Sequence, residues 1–412
     1  MGAMIDRLEQ LRRLFAEHDL GQGDVLVALG IYFGQTMQDR QSRTVVYMRD
    51  RQVALTLIYG SNGELTGLKH GPGLHADDLD NLIRLLDAPR PRRVMGVVIF
   101  SDVPTTGWWQ FRDRFQLFPL PRQAPRPERV IGGVHPLMLE VAYEGSNDDR
   151  LDEYRGAVAT REVNRLLSGL LRGTEDRLGH SARADWFLVA DGASGGSDVL
   201  RPRFGAIGYP LGPAPKRRTA DFSAVAKGVP PLEVSARADY YSKRGISSME
   251  LPDSIESALD SYLALARADQ DRVLRWCHWL NHARQIGALS PSAAAIAAVQ
   301  SVEALLPPAS GTGRCESCGR GTGPSLGQQF KRFLAKYAPG NDNAAARDRL
   351  YQLRSKLTHG GSLLIGELRE IAFHEFTPRS WGERELVEQA LMAARLAGVN
   401  WLLGSATTGT ES

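Results

Sequence analysis

The chain has 412 residues, of which 42% are hydrophobic and 24% charged, a composition typical of a soluble protein with room for two or three domains. Its net charge of +3 is too small to indicate a nucleic-acid partner, so any affinity for RNA must come from local basic patches. No apolar run approaches the roughly 18 residues of a membrane span, and the N-terminus lacks the layout of a secretory signal. The sequence therefore predicts a cytoplasmic protein with no membrane partner.

The first half of the chain combines apolar runs rich in β-forming residues with amphipathic stretches. The predicted strands are residues 25–33, 44–48, 53–59, 94–100, 137–143 and 186–190. The predicted helices are residues 5–17, 77–88 and 149–171. We therefore expect a mixed α/β domain of unknown role over residues 1–245, joined to the rest of the chain through residues 243–254.

Two features of this domain are compatible with nucleic-acid contact. An aromatic group beside Arg112 could stack bases, although large aromatic side chains are more often core residues, and we favour the core. The group is Trp108, Trp109 and Phe111. Basic segments flanked by proline indicate extended surface loops, and their clustered charge could also guide RNA. These segments are residues 89–93, 121–129 and 216–218. The glycine-rich residues 191–196 lack the lysine of a phosphate-binding loop and predict a plain turn.

Residues 341–361 predict an amphipathic helix with a sharp end. Asn341 or Asp342 can begin the helix after a Pro-Gly pair, and Gly360 with Gly361 ends it. An apolar stripe at positions i, i+3 and i+7 indicates one buried face. Its members are Leu350, Leu353 and Leu357.

The end of this helix carries Arg354 and His359, an Arg-x4-His pair that can cut RNA without a metal. An imidazole can take the proton of a ribose 2′-OH or give one to the leaving 5′-oxygen, while a guanidinium holds the phosphate. Because residues five apart are rotated by about 140° around a helix, a cleft completed by a second chain is favoured. The alternative is a solvated helix end, where basic residues complement the helix dipole.

The C-terminal third, residues 251–403, resembles the HEPN superfamily (higher eukaryotes and prokaryotes nucleotide-binding), most closely its ApeA-like branch. The segments that carry the resemblance are residues 272–280, 298–306, 330–334 and 351–361. The resemblance implies an all-α, HEPN-like helical bundle, over residues 251–405, that forms a homodimer and often acts as a metal-independent ribonuclease. We therefore expect an α+β protein overall, with a disordered tail at residues 406–412. Active members usually have Asn, Asp or His after the arginine, whereas this chain has Ser355.

On this resemblance, Arg354 and His359 are the expected catalytic residues. The expected substrate-binding residues are Arg347, Ser355 and Lys356. The expected supporting residues are Glu303 and Tyr351. Arg347 lies nearly on the face of Arg354 and could add a phosphate contact, and Glu303 could orient His359 from a neighbouring helix. For both residues the alternative is an ordinary surface charge.

Three cysteines exclude a disulfide scaffold and fit a reducing compartment. Cys315 and Cys318 form a Cys-x2-Cys turn, which supplies half of the four ligands of a structural zinc site. Cys277 with His278, or the same cysteine pair of a second subunit, could supply the other half. The alternative is a glycine-rich loop in which both thiols are idle. We expect no cofactor for catalysis and regard structural zinc as a hypothesis.

Two functions follow from the sequence. The first is a HEPN-like endoribonuclease that cuts RNA by 2′-OH attack in a dimer cleft, and the resemblance suggests an antiviral-defence, toxin or stress effector. The second is a non-catalytic RNA-binding or scaffold protein that retains the HEPN fold. Ser355 favours the second hypothesis.

Overall fold

A computed structural model describes most of the chain, in ranges separated by gaps. The described residues are 9, 13, 22–39, 41–61, 65–120, 135–178, 184–190, 200–206, 217–242, 246–287, 290–307, 325–339, 341–358, 363–364 and 378–408. The predicted turn at residues 191–196 lies outside these ranges, as does nearly all of the predicted helix at residues 5–17. Two compact units are present: unit 1 has residues 1–95, 141–160 and 217–222, and unit 2 has residues 96–140, 161–216 and 223–412.

Unit 1 contains an antiparallel sheet of four strands in the order β1-β2-β3-β4. Its elements are α1 (Gln22–Phe33), β1 (Gln35–Asp39), β2 (Thr44–Arg49), β3 (Gln52–Tyr59), β4 (Leu65–His70) and α2 (Ala76–Leu86). Leucines of α1, β3 and α2 form a buried core, which includes Leu29, Leu57 and Leu82. The predictions of strands at residues 44–48 and 53–59 and of a helix at residues 77–88 are confirmed.

The prediction of a strand at residues 25–33 is wrong, because this segment forms most of helix α1. Val25, Ala28, Leu29 and Phe33 are all at most 5% exposed, and their spacing follows the turn of a helix. Periodicity alone does not distinguish a short, continuous apolar run in a buried helix from one in a buried strand.

Three elements contribute residues to both units: β5 (Arg92–Ser101), β8 (His135–Glu144) and α3 (Asp149–Leu170). The remaining strands are β6 (Trp109–Phe111), β7 (Phe115–Pro119), β9 (Thr174–Leu178), β10 (Ala184–Ala190), β11 (Leu200–Ala206), β12 (Arg217–Thr219), β13 (Glu233–Ser235) and β14 (Glu250–Pro252). One sheet has the order β12-β5-β8-β7-β6, with β9 also on β5, and β10 pairs with β11. These strands and α3 confirm the predictions at residues 94–100, 137–143, 186–190 and 149–171.

Among the described residues after 252, unit 2 is entirely helical. A short helix, α4 (Arg237–Ser242), precedes this region. The helices that follow are α5 (Ile255–Ala264), α6 (Arg267–Ile286), α7 (Pro291–Glu303), α8 (Leu326–Tyr337), α9 (Asn341–Thr358) and α10 (Pro378–Thr408). Serine caps start two of them: the Ser290 hydroxyl accepts from the Ala293 amide at 3.1 Å, and Ser325 forms a capping box with Gln328. Helix α7 packs against α6, α9 and α10.

The boundaries of the two compact units differ from those of the predicted domains, residues 1–245 and 251–405. Strand β14 lies within residues 243–254, which the sequence predicted as a linker, and it pairs in parallel with β13. Unit 2 therefore joins the C-terminal helices to strands from the first half of the chain. Helix α10 also continues to Thr408, three residues into the predicted tail, and residues 409–412 lie outside the described part.

Candidate functional site

Helix α9 carries the arginine of the predicted motif and is fixed by its apolar stripe. Leu350 and Leu357 are 4% and 7% exposed, and Leu353 packs against the core cluster that contains Leu357. That cluster also contains Ala294 of α7 and Val387 of α10. The predicted stripe is confirmed, and the helix begins at Asn341 and ends at Thr358, next to the predicted Gly360 stop.

Arg354 pairs with Glu303, which lies at the end of α7. Nη2 of Arg354 donates to Oε2 of Glu303 at 3.4 Å, and the two side chains are 23% and 16% exposed. Nε of Arg354 and Oε1 of Glu303 are buried and have no hydrogen-bond partner among the described residues. Burial raises the pKa of Glu303, and the nearby Arg354 partly opposes that rise. The pair is a long contact, since strong charged hydrogen bonds are about 2.7–2.9 Å.

The structure describes only some of the other residues predicted for the site. His359 and the side chain of Arg347 lie outside what the structure describes, so their expected roles stay predictions. Ser355 is half-buried and Lys356 is exposed. The carboxylate of Glu303 contacts Arg354 within the described part, and its suggested orientation of His359 stays a prediction.

Tyr351 holds α8 against α9. Its ring lies 5.4 Å from the ring of Phe330, centroid to centroid. It also packs so closely on Gly327 that a Cβ at that position would come within 2.6 Å of the ring. Lys331 and Asp348 add an ion pair of 2.8 Å between the same helices. Tyr351 therefore contributes to the packing of these two helices, and its expected supporting role at the site stays a prediction.

The zinc hypothesis is not tested, because Cys315 and Cys318 lie outside the described ranges. Within those ranges no group of three or more His, Cys, Asp or Glu side chains is placed to hold a metal. Cys277 is completely buried and its thiol donates to the carbonyl of Leu166 at 3.8 Å, whereas His278 is exposed. The suggested pairing of Cys277 with His278 at one zinc ion is therefore geometrically unfavourable, since adjacent helical residues point in different directions.

The aromatic group near Arg112 belongs to the core, as expected. Trp109 and Phe111 are 8% and 1% exposed, and each ring contacts Phe115 at about 5.3–5.4 Å. Trp108 packs against a neighbouring core cluster. The structure therefore favours the core interpretation over a base-stacking platform.

Several arginines of the predicted basic loops already have acidic partners. The pairs are Arg90 with Glu144 at 3.3 Å, Arg92 with Asp221 at 3.7 Å, Arg93 with Asp152 at 3.7 Å and Arg218 with Asp152 at 3.1 Å. These carboxylates offset charge that the sequence suggested for RNA guidance. The loop at residues 121–129 lies outside the described residues.

A second site, which the sequence did not suggest, is a cavity of about 400 Å³ within unit 2. Three arginines line it: Arg172 after α3, Arg284 on α6 and Arg395 on α10. They are more than 100 residues apart in sequence, so no local motif could have linked them. Only the packing of α6 and α10 beside the end of α3 brings them together.

No protein-family model matches the chain, and no curated protein or solved structure is significantly similar to it. The HEPN resemblance therefore stays a prediction from the motif. Within the described ranges, none of the helices is both long and apolar enough to cross a membrane.

Proposed function

We propose that the helical region after residue 252 binds RNA and cuts it without a metal, with Arg354 and His359 as the catalytic pair. The proposal rests on the HEPN resemblance and is supported by the placement of Arg354. This residue lies in the last turns of α9 beside the buried stripe, where it pairs with Glu303 of α7, and 23% of its side chain is exposed. It is thus both anchored and accessible to a phosphate.

Arg354 suits electrostatic stabilisation because only one of its guanidinium donors has a hydrogen-bond partner among the described residues. A guanidinium has five N–H donors, and the contact with Glu303 uses one of them. Glu303 positions the guanidinium, and the remaining donors on Nη1 and Nη2 can hold the oxygens of a phosphate as negative charge develops. In this role Glu303 is a positioning residue.

In the proposed reaction, the ribose 2′-oxygen loses its proton to an imidazole and attacks the adjacent phosphorus. The bond from phosphorus to the 5′-oxygen breaks, and a protonated imidazole returns a proton to that oxygen. The products are a 2′,3′-cyclic phosphate and a free 5′-hydroxyl, so atoms and protons balance without a metal.

We further propose that two copies of the chain form the cleft. Residues five apart on a helix are rotated by about 140°, so one copy cannot place Arg354 and His359 on one narrow face. A two-fold dimer would present each motif to the other. Light scattering on the full chain tests whether it forms a dimer. A monomer at every concentration would contradict a shared cleft.

The second candidate function is non-catalytic RNA binding or scaffolding. It is favoured by the carboxylate of Glu303, which offsets the charge of Arg354, and by Ser355 at the position after the arginine. Under this hypothesis the pair serves chiefly to tie α7 to α9.

RNA cleavage in EDTA separates the two functions. We expect the full chain to cut labelled RNA in EDTA and to leave 2′,3′-cyclic phosphate ends. His359→Ala should lower the rate at least about 100-fold, the effect of losing a general acid or base. Arg354→Ala should be comparably damaging, and Arg354→Lys should restore little, because a point charge does not reproduce the planar fork.

Arg349→Ala is the matched control, since Arg349 is an exposed arginine on the same helix and outside the motif. It should cut RNA at the parental rate. If folded His359→Ala cuts as fast as the parent, the catalytic assignment is wrong. If the parent binds RNA but never cuts it, the scaffold function takes its place.

A further inference from the structure

The cavity of about 400 Å³ in unit 2 falls in the size range of small-molecule sites, about 300–1,000 Å³. Its charged lining consists of Arg172, Arg284 and Arg395 with the acidic Asp102 and Glu388. Its apolar lining includes Val103, Ile246, Leu391 and Met392. A cationic side next to an apolar side is the lining that an organic anion requires.

Arg284 is balanced within the protein. Its Nη2 donates to Oδ2 of Asp102 at 2.7 Å and its Nη1 donates to the carbonyl of Thr174 at 2.6 Å. Its side chain is 17% exposed. One carboxylate therefore neutralises one of the three cations.

Arg172 and Arg395 contact carbonyl groups instead. Nη1 of Arg172 donates to the carbonyl of Tyr240 at 2.8 Å, and Nη2 of Arg395 donates to the carbonyl of Ser168 at 3.4 Å. Within the described ranges, neither guanidinium has a carboxylate at ion-pair distance. Arg172 and Arg395 thus have no direct ion pair in the described part of the chain, and Glu250 and Asp102 act on Arg172 only through longer-range electrostatic attraction.

Arg395 is the more unusual of the two. It is 8% exposed, and its Nε is buried with no hydrogen-bond partner in the described part of the chain. Burial lowers its pKa to about 10, and the charges of Arg284 and Arg172 act in the same direction. A guanidinium with this pKa is still protonated at neutral pH, so a positive charge is held at the cavity at a cost in desolvation.

A purely structural role explains only part of this arrangement. Ser168 lies near the C-terminal end of α3, where cations stabilise the helix dipole. That end carries roughly half a negative charge, less than the net charge of about +1 that three arginines with Asp102 and Glu388 give the lining. The remaining positive charge, and the lack of an ion pair for Arg172 and Arg395 within the described ranges, favour an additional anion.

We propose that this cavity binds a small phosphomonoester, whose dianionic phosphate lies between Arg172 and Arg395 and whose apolar part lies against Leu391 and Met392. Two planar guanidinium groups match the geometry and the charge of a phosphate dianion. Glu388 is exposed at the cavity and opposes the ligand charge. This proposal does not depend on RNA cleavage.

Calorimetric titration of the full chain with phenyl phosphate tests the proposal, with inorganic phosphate and benzoate as comparison probes. We expect one saturable site for phenyl phosphate, weaker binding of inorganic phosphate because it lacks the apolar part, and weaker binding of benzoate because it carries one charge. Arg395→Met and Arg172→Met should each weaken phenyl phosphate binding at least about tenfold.

Two further variants sharpen the test. Glu388→Gln should tighten binding about threefold, because it removes a negative charge beside the phosphate. Arg275→Met, which removes an exposed arginine on α6 away from the cavity, should leave binding unchanged. If Arg395→Met does not fold by circular dichroism, Arg172→Met decides, since that side chain is only partly buried.

Three results would overturn the proposal. The first is a parental Kd weaker than about 10 mM for phenyl phosphate. The second is parental affinity in folded Arg395→Met or Arg172→Met. The third is benzoate binding as tightly as phenyl phosphate, which would assign the cavity to a carboxylate instead of a dianion.

Discussion

The two arginine sites of unit 2 differ in how their charge is balanced. Arg354 is 23% exposed and has a carboxylate partner in Glu303, whereas Arg395 is 8% exposed and contacts only a carbonyl among the described residues. A paired, partly exposed arginine can be explained by the fold alone. A buried arginine without a carboxylate partner costs free energy in the unliganded protein, so it is the stronger indication of a ligand.

Two glycine-to-alanine substitutions, one near Arg395 and one near Arg354, compare how tightly the side chains pack at the two sites. Gly398 lies one turn after Arg395, and a Cβ there would come within 2.1 Å of the ring of Trp276, which is fully buried. Gly398→Ala should lower the free energy of unfolding by about 3 kcal/mol, because the buried indole cannot move aside. Chemical denaturation measures the change.

Gly327→Ala is the counterpart at the Arg354 site. Its Cβ would come within 2.6 Å of Tyr351, whose partly exposed ring can rotate, so the expected loss is about 1 kcal/mol or less. Equal losses of unfolding free energy in the two alanine variants would show that both contacts adjust equally. The contact of Gly398 with Trp276 would then be no more rigid than that of Gly327 with Tyr351.

Removing Arg354 should leave Glu303 partly buried without its cation. We expect Arg354→Ala to lower the free energy of unfolding by about 1–2 kcal/mol near neutral pH, less than for a fully buried pair because both side chains keep some solvent contact. Adding Glu303→Gln should recover part of the loss, since a neutral amide needs no counter-charge. Additive losses in this double-mutant cycle would argue against a functional ion pair.

Glu303 should also give the pair a pH dependence of defined sign. Its pKa in the folded protein is raised above the ordinary 4.5 by burial, so the folded state binds the proton more tightly than the unfolded state. Its contribution to stability is therefore full below about pH 4.5 and is lost as pH rises through the raised pKa. The free energy of unfolding of the parent minus that of Glu303→Gln should fall as the pH rises from about 4 to about 7. A rise would contradict the assigned direction.

The smallest effect is expected at Arg395. Arg395→Met removes a desolvated charge and an unsatisfied Nε while keeping similar volume, but it also loses the bond to Ser168. We expect the unliganded protein to be stabilised by less than about 1 kcal/mol. Thermal melting without phosphate measures it. Destabilisation of several kcal/mol would mean that Arg395 is needed for the fold itself.

Local patterns predicted the secondary structure where one periodicity was clear. Leu350, Leu353 and Leu357 have helical spacing, and the predicted helix and its buried face are both found. Residues 25–33 show the limit of this approach. Their continuous apolar run suits either a buried strand or a buried helix, and the core of unit 1 decides for the helix.

The sequence by itself determined most helices and strands, the motif helix α9 and the arginine at its end, because these depend on residues a few positions apart. Tertiary structure alone decided the pairing of Arg354 with Glu303, the pairing of β13 with β14 inside the predicted linker, and the arginine cavity. No short segment of the sequence indicates that Arg172, Arg284 and Arg395 lie near one another. Their shared wall exists only because distant helices pack together, which is a non-local property that residue spacing cannot encode.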